Sequence, residues 1–375
     1  RSSDLFLFSH VFNKLGRVPI NILDPFAGTG SCLSFAKQLG ITSYGKELTK
    51  LGKLICDVRL NPPDDLERVL NIARELSFSK VPKSNKCIVH NIELIKWIGE
   101  DNHNKLNYLL DKINQNNDPR ERDWLLLALS SSLRPSSCWL AGSIKPQIDP
   151  NREYSNLQDH FWRVSRTLKK DCEKEKMRFQ RGCLTSIYQG DSRSLHEFKD
   201  SSIEAIITSP PYGSMYDYFD VHRLTYLAFS WDRFDDSQIG RSTRIQKINY
   251  AYSPPSHMYD WYYYEFKEEK TSDGRALREY FERMQDHFRE SHRILREGGI
   301  IAYAVANSMK KGKRFPIVES LAELIEETGF VEVEIIPRSQ TMKRILPAGR
   351  DPKTGRFNSS TKPAVQEFII IARKR

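Results

Sequence analysis

The sequence predicts an α/β fold, a Rossmann-like, mostly parallel seven-stranded sheet with a reversed last strand, plus a helical insertion. Three observations predict it. A short apolar run ends in a glycine turn that opens directly into a helical pattern, and a second strand–helix unit follows at once. Seven runs of strand length can be counted along the 375 residues. The last two are joined without a helical pattern between them, and a strand pair that lacks a crossover is expected to be antiparallel.

Residues 20–23 read as the first strand, followed by Asp24-Pro25-Phe26-Ala27-Gly28-Thr29-Gly30-Ser31 and a helix that Gly40 stops. The second strand, residues 42–48, carries Glu47 near its end and precedes a helix from Thr49 towards Leu60. Pro62-Pro63 breaks the pattern. From there to Gly182 there are helical stretches, residues 124–129 and 157–170 among them, and no clear strands, so residues 61–182 read as an insertion. Its end, residues 166–181, holds seven basic residues against three acids, which suits either a solvated helix face or a surface that tracks phosphates.

Strands resume at residues 184–189, ending in Gly190-Asp191, and at 204–208, ending in Ser209-Pro210-Pro211-Tyr212. After a tyrosine-rich, irregular stretch, a strong helix over 275–295 is stopped by Glu297-Gly298-Gly299. Strand 300–306, helix 317–327 and strand 331–336 follow, and a basic loop leads to the last strand at 367–372. Residues 1–60 and 183–375 are thus expected to form one core around the insertion.

Composition narrows the function classes. Hydrophobic residues make up 39% of the chain and no run approaches the ~18–20 apolar residues of a membrane span. The chain opens at Arg1 with no charged-then-apolar leader, so a trimmed start and a cytoplasmic location are expected. Six cysteines lie far apart without a C-x-x-C pair, which favours reduced thiols over a disulfide framework or a metal site. Lys and Arg exceed Asp and Glu by 58 to 48, a net charge of +10, a modest argument for a polyanionic partner.

The chemistry concentrates at strand ends, where open α/β sheets place ligands. Gly28 and Gly30 let a ligand approach the backbone closely. No Gly-Lys-Ser/Thr follows them, so the turn is not a P-loop, and the third glycine of the dinucleotide fingerprint is missing. Glu47 can accept from the two ribose hydroxyls of an adenosyl ligand, as the acid of dinucleotide folds does. Asp191 can accept from an adenine amine or serve as a turn aspartate. Two prolines after a buried strand stiffen Ser209-Pro210-Pro211-Tyr212 and leave carbonyls facing outward. The Ser209 hydroxyl and the Pro210 carbonyl could accept both N–H groups of an exocyclic amine, favouring the pyramidal nitrogen that attack on a methylsulfonium needs. Tyr212 offers a flat face for an extruded base.

The strand order together with Asp24 to Gly30 and Ser209 to Tyr212 resembles the SPPY-type DNA amino-methyltransferases of the class I, S-adenosylmethionine-dependent fold. Most similar are the unpermuted cytosine-N4-specific enzymes of restriction–modification systems. The matching motifs cover the sheet, and Tyr216-Asp217-Tyr218, His222-Arg223-Leu224 and the ending from Gln366 to Lys374 add to the likeness. The resemblance implies S-adenosyl-L-methionine as cofactor, held by Asp24, Phe26, Ala27, Gly28, Thr29, Gly30, Glu47 and Asp191. Ser209, Pro210, Pro211 and Tyr212 would be catalytic, and double-stranded DNA the partner, with a cognate restriction endonuclease as a further candidate and nucleoid association through DNA. Members carry another cofactor-binding segment ahead of the first strand; here Phe6, Phe8 and His10 are its candidates, or trimming has removed part of it. No cysteine follows a proline, which disfavours methylation at cytosine C5, a reaction that needs a thiolate.

DNA contact is expected from two segments within the core, 213–274 and 338–364. The first is rich in tyrosine and includes Tyr216 and Tyr218. The second carries Arg338, Lys343, Arg344, Arg350, Lys353 and Arg356, suited to phosphate or groove contact. Adenine-N6 methylation stays open, with serine at 209 tilting towards cytosine by resemblance alone. An RNA guanine-N2 methyltransferase and a catalytically silent DNA-binding subunit also stay open.

Overall fold

The structure, a computed structural model, describes residues 2–82, 87–143, 145–180, 182–211, 213, 217–233, 237–240, 255–256, 272–307, 309–310, 313–314, 316–338 and 367–375. Its strands are β1 (Asn21–Asp24), β2 (Thr42–Glu47), β3 (Thr185–Gln189), β4 (Ile203–Thr208), β5 (Leu295–Ala306), β6 (Met309–Lys310), β7 (Lys313–Arg314), β8 (Phe330–Arg338) and β9 (Glu367–Lys374). Its helices are α1 (Ser2–Leu15), α2 (Ser31–Gln38), α3 (Lys50–Leu60), α4 (Leu66–Phe78), α5 (Ile92–Asn114), α6 (Pro119–Ser136), α7 (Leu157–Lys176), α8 (Tyr218–Val221), α9 (Arg223–Phe229), α10 (Ser272–Ile294) and α11 (Ile317–Glu327).

Seven strands form a mixed sheet in the order β3-β2-β1-β4-β5-β9-β8, and β6 and β7 make a separate ribbon. The pairs β1–β2, β2–β3 and β4–β5 are parallel. β9 runs antiparallel to both β5 and β8. The expected reversed last strand is therefore present, and it lies inside the sheet between β5 and β8. Side-chain character explains the placement. Ile369, Ile370, Ile371 and Ala372 form an unbroken apolar run, all buried, which suits a strand covered on both faces. β8 alternates apolar residues with Glu332 and Glu334 and keeps Pro337, which suits an edge.

Contacts divide the chain into two units. One comprises Ile20–Ser192 and Asp217–Gln238, and the other Ser2–Pro19, Arg193–Tyr216 and Ile239–Arg375. Residues 61–182 thus group with β1 to β3.

In the first unit, α3 to α7 each open on a side chain that accepts from a first-turn N–H: Thr49, Asp65, Asn91, Asp118 and Asn156. Their apolar faces bury Leu94, Ile98, Leu106, Trp124, Leu129, Leu157 and Phe161 in one cluster. Phe219, Leu224 and Tyr226 of α8 and α9 join that cluster. This part of the tyrosine-rich stretch is therefore committed to the helical core. Within α5, Gly99 adopts φ 79°, ψ 162° and kinks the helix, and a Cβ there would lie 2.8 Å from the Tyr154 ring.

In the second unit every residue of β4 is buried. α1 packs on β5 and β4, with Phe8 and Val11 in the core. β5 begins at Leu295 instead of at 300, because its pairing slips between Ile203↔Leu295 and Ala205↔Ile300. The slip spans the Glu297-Gly298-Gly299 segment, which was expected to stop a helix, and Gly298 at φ 71° turns it into a bulge. Behind β5, the buried imidazole Nε2 of His287 lies 2.7 Å from the Tyr303 hydroxyl, and the Ser291 hydroxyl lies 3.2 Å from the same oxygen. Among the described residues no helix is long and apolar enough to cross a membrane.

Candidate functional site

In the first unit, β1 delivers the chain into a glycine loop held by backbone bonds. Asp24, 4% exposed, accepts from Phe26 N at 3.2 Å through Oδ1. Ala27 N donates to Lys46 O at 3.0 Å, and Gly30 N donates back to Ala27 O at 2.7 Å. Gly28 and Gly30 sit at φ 54° and 71°, the left-handed region where other residues are strained. A Cβ on Gly30 would also stand 3.1 Å from Cys56 Sγ. Arg59 reaches over from α3 to donate to Thr29 O at 3.0 Å. Phe26 is half-buried and Thr29 is exposed.

Glu47 is the organising side chain. Its Oε2 accepts from Gly28 N at 2.9 Å, while Oε1 accepts from Thr49 N at 2.9 Å and from the Thr49 hydroxyl at 2.6 Å. A carboxylate has about four acceptor positions. Oε1 is filled, and Oε2 keeps one position among the described residues. The carboxylate therefore keeps acceptor capacity for a further hydroxyl donor. Burial pushes the Glu47 carboxyl above its ordinary value, and the bonds from Thr49 and Gly28 pull it the other way. Gly52 makes the arrangement possible, since a Cβ there would lie 2.6 Å from Glu47 Cδ.

Gly190 N donates to Glu47 O at 3.0 Å, which sets the half-buried Asp191 beside the end of β2. Lys46, only 1% exposed, runs along this turn, so that a Cβ on Gly190 would be 3.4 Å from its Nζ. Asp24, Phe26, Ala27, Gly28, Thr29, Gly30, Glu47 and Asp191 all belong to this unit.

The proline loop belongs to the second unit. Ser209 is exposed at the end of β4, Pro210 is buried and Pro211 half-buried. The Ser209 hydroxyl donates to Ala304 O on β5 at 3.1 Å. Its one proton is thereby engaged, and its oxygen is left as an acceptor. Gly213, also buried, packs beneath, where a Cβ would lie 3.2 Å from the Tyr280 ring.

Tyr212, Tyr216, Lys343, Arg344, Arg350, Lys353 and Arg356 lie outside the described residues. Tyr218 is 39% exposed at the start of α8. Arg338 is buried and pairs with Glu367 at 3.2 Å, where it ties β8 to β9. Along the basic run of α7, Lys169 pairs with Glu67 and Glu173 at 2.6 and 2.9 Å, and Lys176 donates to Asp64 O at 3.0 Å. Two of those charges are thus occupied within the unit. Phe8, a candidate for a further cofactor-binding segment, is core.

Sequence reasoning missed Thr49, Gly52, Lys46 and Tyr226. Thr49 before a helical pattern is a readable N-cap signal, but its bond to Glu47 depends on how β2 turns into α3. The Tyr226 hydroxyl accepts from Lys50 N at 3.1 Å, a contact across 176 residues that no local pattern announces. The six cysteines are free. Burial raises the thiols of Cys56, Cys138, Cys172 and Cys183, with Cys172 pushed up to about 11. Among the described residues no three of His, Cys, Asp and Glu are grouped to hold a metal.

No family model and no curated protein matches the chain. Solved structures do. TTHA0409 of Thermus thermophilus, a candidate DNA modification methylase solved with S-adenosyl-L-methionine, is 17% identical over 49% of this chain and 51% of its own, with a TM-score of 0.24. This chain spans about half the length of the TTHA0409 chains it matches. An S-adenosylmethionine-dependent methyltransferase of Methanosarcina mazei is 9% identical over 94% of this chain and 92% of its own, with a TM-score of 0.31. The rRNA methyltransferase AviRa of Streptomyces viridochromogenes is 10% identical over 99% of this chain and 83% of its own, with a TM-score of 0.32. Likenesses of this size carry no weight for activity.

Proposed function

We propose that the protein transfers a methyl group from S-adenosyl-L-methionine to the exocyclic N4 of cytosine in a specific double-stranded DNA sequence, with the base flipped out. The observation that carries this reading is the Ser209 hydroxyl, whose proton is given to Ala304 O. An exocyclic amine carries two N–H groups and a lone pair delocalised into its ring. Ser209 Oγ and the Pro210 carbonyl accept both N–H groups, which favours a pyramidal nitrogen with its lone pair exposed. Ser209 holds the amine and keeps its own proton on Ala304 O; as the N–CH3 bond forms, the S–CH3 bond breaks, the donor leaves as a neutral thioether, and the methylated nitrogen sheds one N–H proton to solvent.

The glycine loop suits an adenosyl ligand. Gly28 and Gly30 keep side chains out of its path, Glu47 Oε2 would accept from a ribose hydroxyl, and Asp191 would accept from the adenine amine. The bound cofactor supplies a methyl group on a sulfonium. The chain supplies position and alignment, which contribute most of the acceleration in an in-line displacement. Tyr212 would supply the stacking face for the flipped base, and the basic residues of 339–364, without the buried Arg338, would supply phosphate contacts.

Nucleoside mass spectrometry of unmethylated plasmid DNA, incubated with the protein and labelled S-adenosylmethionine, tests the proposal. Labelled N4-methylcytosine is expected. N6-methyladenine would keep the mechanism and move the target atom. Absence of label in DNA, with cofactor binding intact, would overturn the reading in favour of RNA or of a silent subunit.

A further inference from the structure

Asn307 directly follows β5 and is 9% exposed. Its Oδ1 accepts from Val318 N at 3.0 Å, inside the first turn of α11, where the N-cap residue Pro316 makes no side-chain bond. Because Val318 contributes an N–H, the end of the amide that meets it is the oxygen. The other end, Nδ2, is buried and has no hydrogen-bond partner among the described residues. A buried amino group with neither proton accepted is costly. The cap alone does not require it, since Ser, Thr or Asp would present the same acceptor to α11 without an orphaned NH2.

Asn307 and Ser209 lie at the same end of the second unit. Thr208 pairs with Tyr303, Ser209 reaches Ala304 O, and Asn307 is three residues further along the chain from Ala304. β4 and β5 run parallel, so both residues emerge at the carboxyl end of their strands, where open sheets bind ligands.

We infer that Asn307 Nδ2 reads the target base by donating to the unprotonated ring nitrogen beside the exocyclic amine, an inference that rests on the amine-methylation reading above. In cytosine that atom is N3 and in adenine N1. The site then presents two acceptors to the amine, Ser209 Oγ and Pro210 O, and one donor to the neighbouring ring atom. Guanine and thymine carry a hydrogen on the corresponding ring nitrogen and would face Nδ2 donor to donor. Substrate class is thereby set to amino bases with an acceptor edge, and the orphaned group finds its partner when the base enters.

Asn307→Asp tests this, because the carboxylate keeps the acceptor for Val318 N and removes both N–H donors. We expect kcat/KM for DNA to fall by about 10- to 100-fold, the range of one lost base contact, with the Kd for S-adenosylmethionine essentially that of the wild type. A second measurement uses the unaltered protein on duplex oligonucleotides in which the target base is 3-deazacytosine, or 1-deazaadenine if adenine is the methylated base. The wild type should lose a similar factor on the deaza duplex, and the variant should lose nothing more. An Asn307→Asp enzyme as active as the wild type on natural DNA, or a wild type at full rate on the deaza duplex, overturns the inference. If the variant does not fold, the deaza comparison decides. A wild type that methylates DNA yet is indifferent to both changes refutes Asn307 alone, whereas a wild type that labels no DNA base refutes the methylation reading and this inference with it.

Discussion

The Thr49 hydroxyl donates to Glu47 Oε1 at 2.6 Å while its oxygen accepts from Gly52 N at 3.0 Å. One side chain therefore caps α3 and orients the carboxylate that ends β2. Thr49→Val keeps the shape and removes both bonds. It is expected to cost about 1 kcal/mol of stability, as other lost N-caps do, and to weaken S-adenosylmethionine binding several-fold. Thr49→Ser should restore both. Thermal unfolding and titration calorimetry on the three proteins check this, and a Thr49→Val protein with unaltered affinity would show that Glu47 needs no such orientation.

The raised carboxyl of Glu47 predicts two opposite trends with pH. Its ionised form is the stronger acceptor for a ribose hydroxyl, so cofactor affinity should drop on acidification through a pH above the ordinary carboxylate range. Stability should move the other way. Within the window between the unfolded and the raised folded value the native state binds more protons, and stability contributed by this group falls as pH rises. Glu47→Gln should flatten both curves. Affinity and urea unfolding measured across the acidic range decide, and a wild-type affinity that is flat there would contradict the role given to Glu47.

Gly30 combines a left-handed φ of 71° with a neighbour, Cys56 Sγ, 3.1 Å from where a Cβ would stand. Gly30→Ala is therefore expected to cost about 1–3 kcal/mol, the range for strained backbone positions, and to impair cofactor binding. Denaturant unfolding in the absence of cofactor separates the two effects. An alanine variant of normal stability would mean that the loop relaxes freely.

Ser209→Ala removes the acceptor for one amine N–H. The expected loss is about 100-fold in kcat, comparable with deletion of one preorganised hydrogen-bonding group in other active sites, with cofactor affinity unchanged. Single-turnover methylation against equilibrium binding provides the check. Equal losses in both would place Ser209 in the general stability of the unit.

Behind β5, Tyr303→Phe deletes the hydroxyl shared by His287 and Ser291 at 2.7 and 3.2 Å. His287 Nε2 keeps Ser291 at 3.3 Å, so the variant should lose about 1 kcal/mol, the net worth of a typical buried bond. Calorimetric unfolding would show it, and a neutral result would mean that the pair re-forms without the tyrosine.

The sheet strands and the helix at 317–327 were legible because each is a local pattern: apolar runs ended by Gly-Asp or Ser-Pro-Pro, and a 3.6-residue stripe ended by Gly329. The glycine loop and the proline loop were legible for the same reason, since a left-handed turn needs glycine and a rigid one needs proline wherever the chain goes afterwards. Gly298 shows the limit. A glycine pair after a helical pattern signals a stop, and only pairing with β4 turns it into a bulge inside β5.

What the sequence alone determined about this protein is the seven strands of the main sheet, that the last is reversed, and where the glycine and proline loops fall. The tertiary structure decided three further matters: that β9 enters between β5 and β8, that α8 and α9 join the helical core, and that Thr49 and Gly52 belong with Glu47. The reason is physical. Backbone propensity and periodicity act over a few residues, whereas pairing register, shared burial and hydrogen bonds such as Tyr226 to Lys50 are settled only when distant segments compete for the same partners.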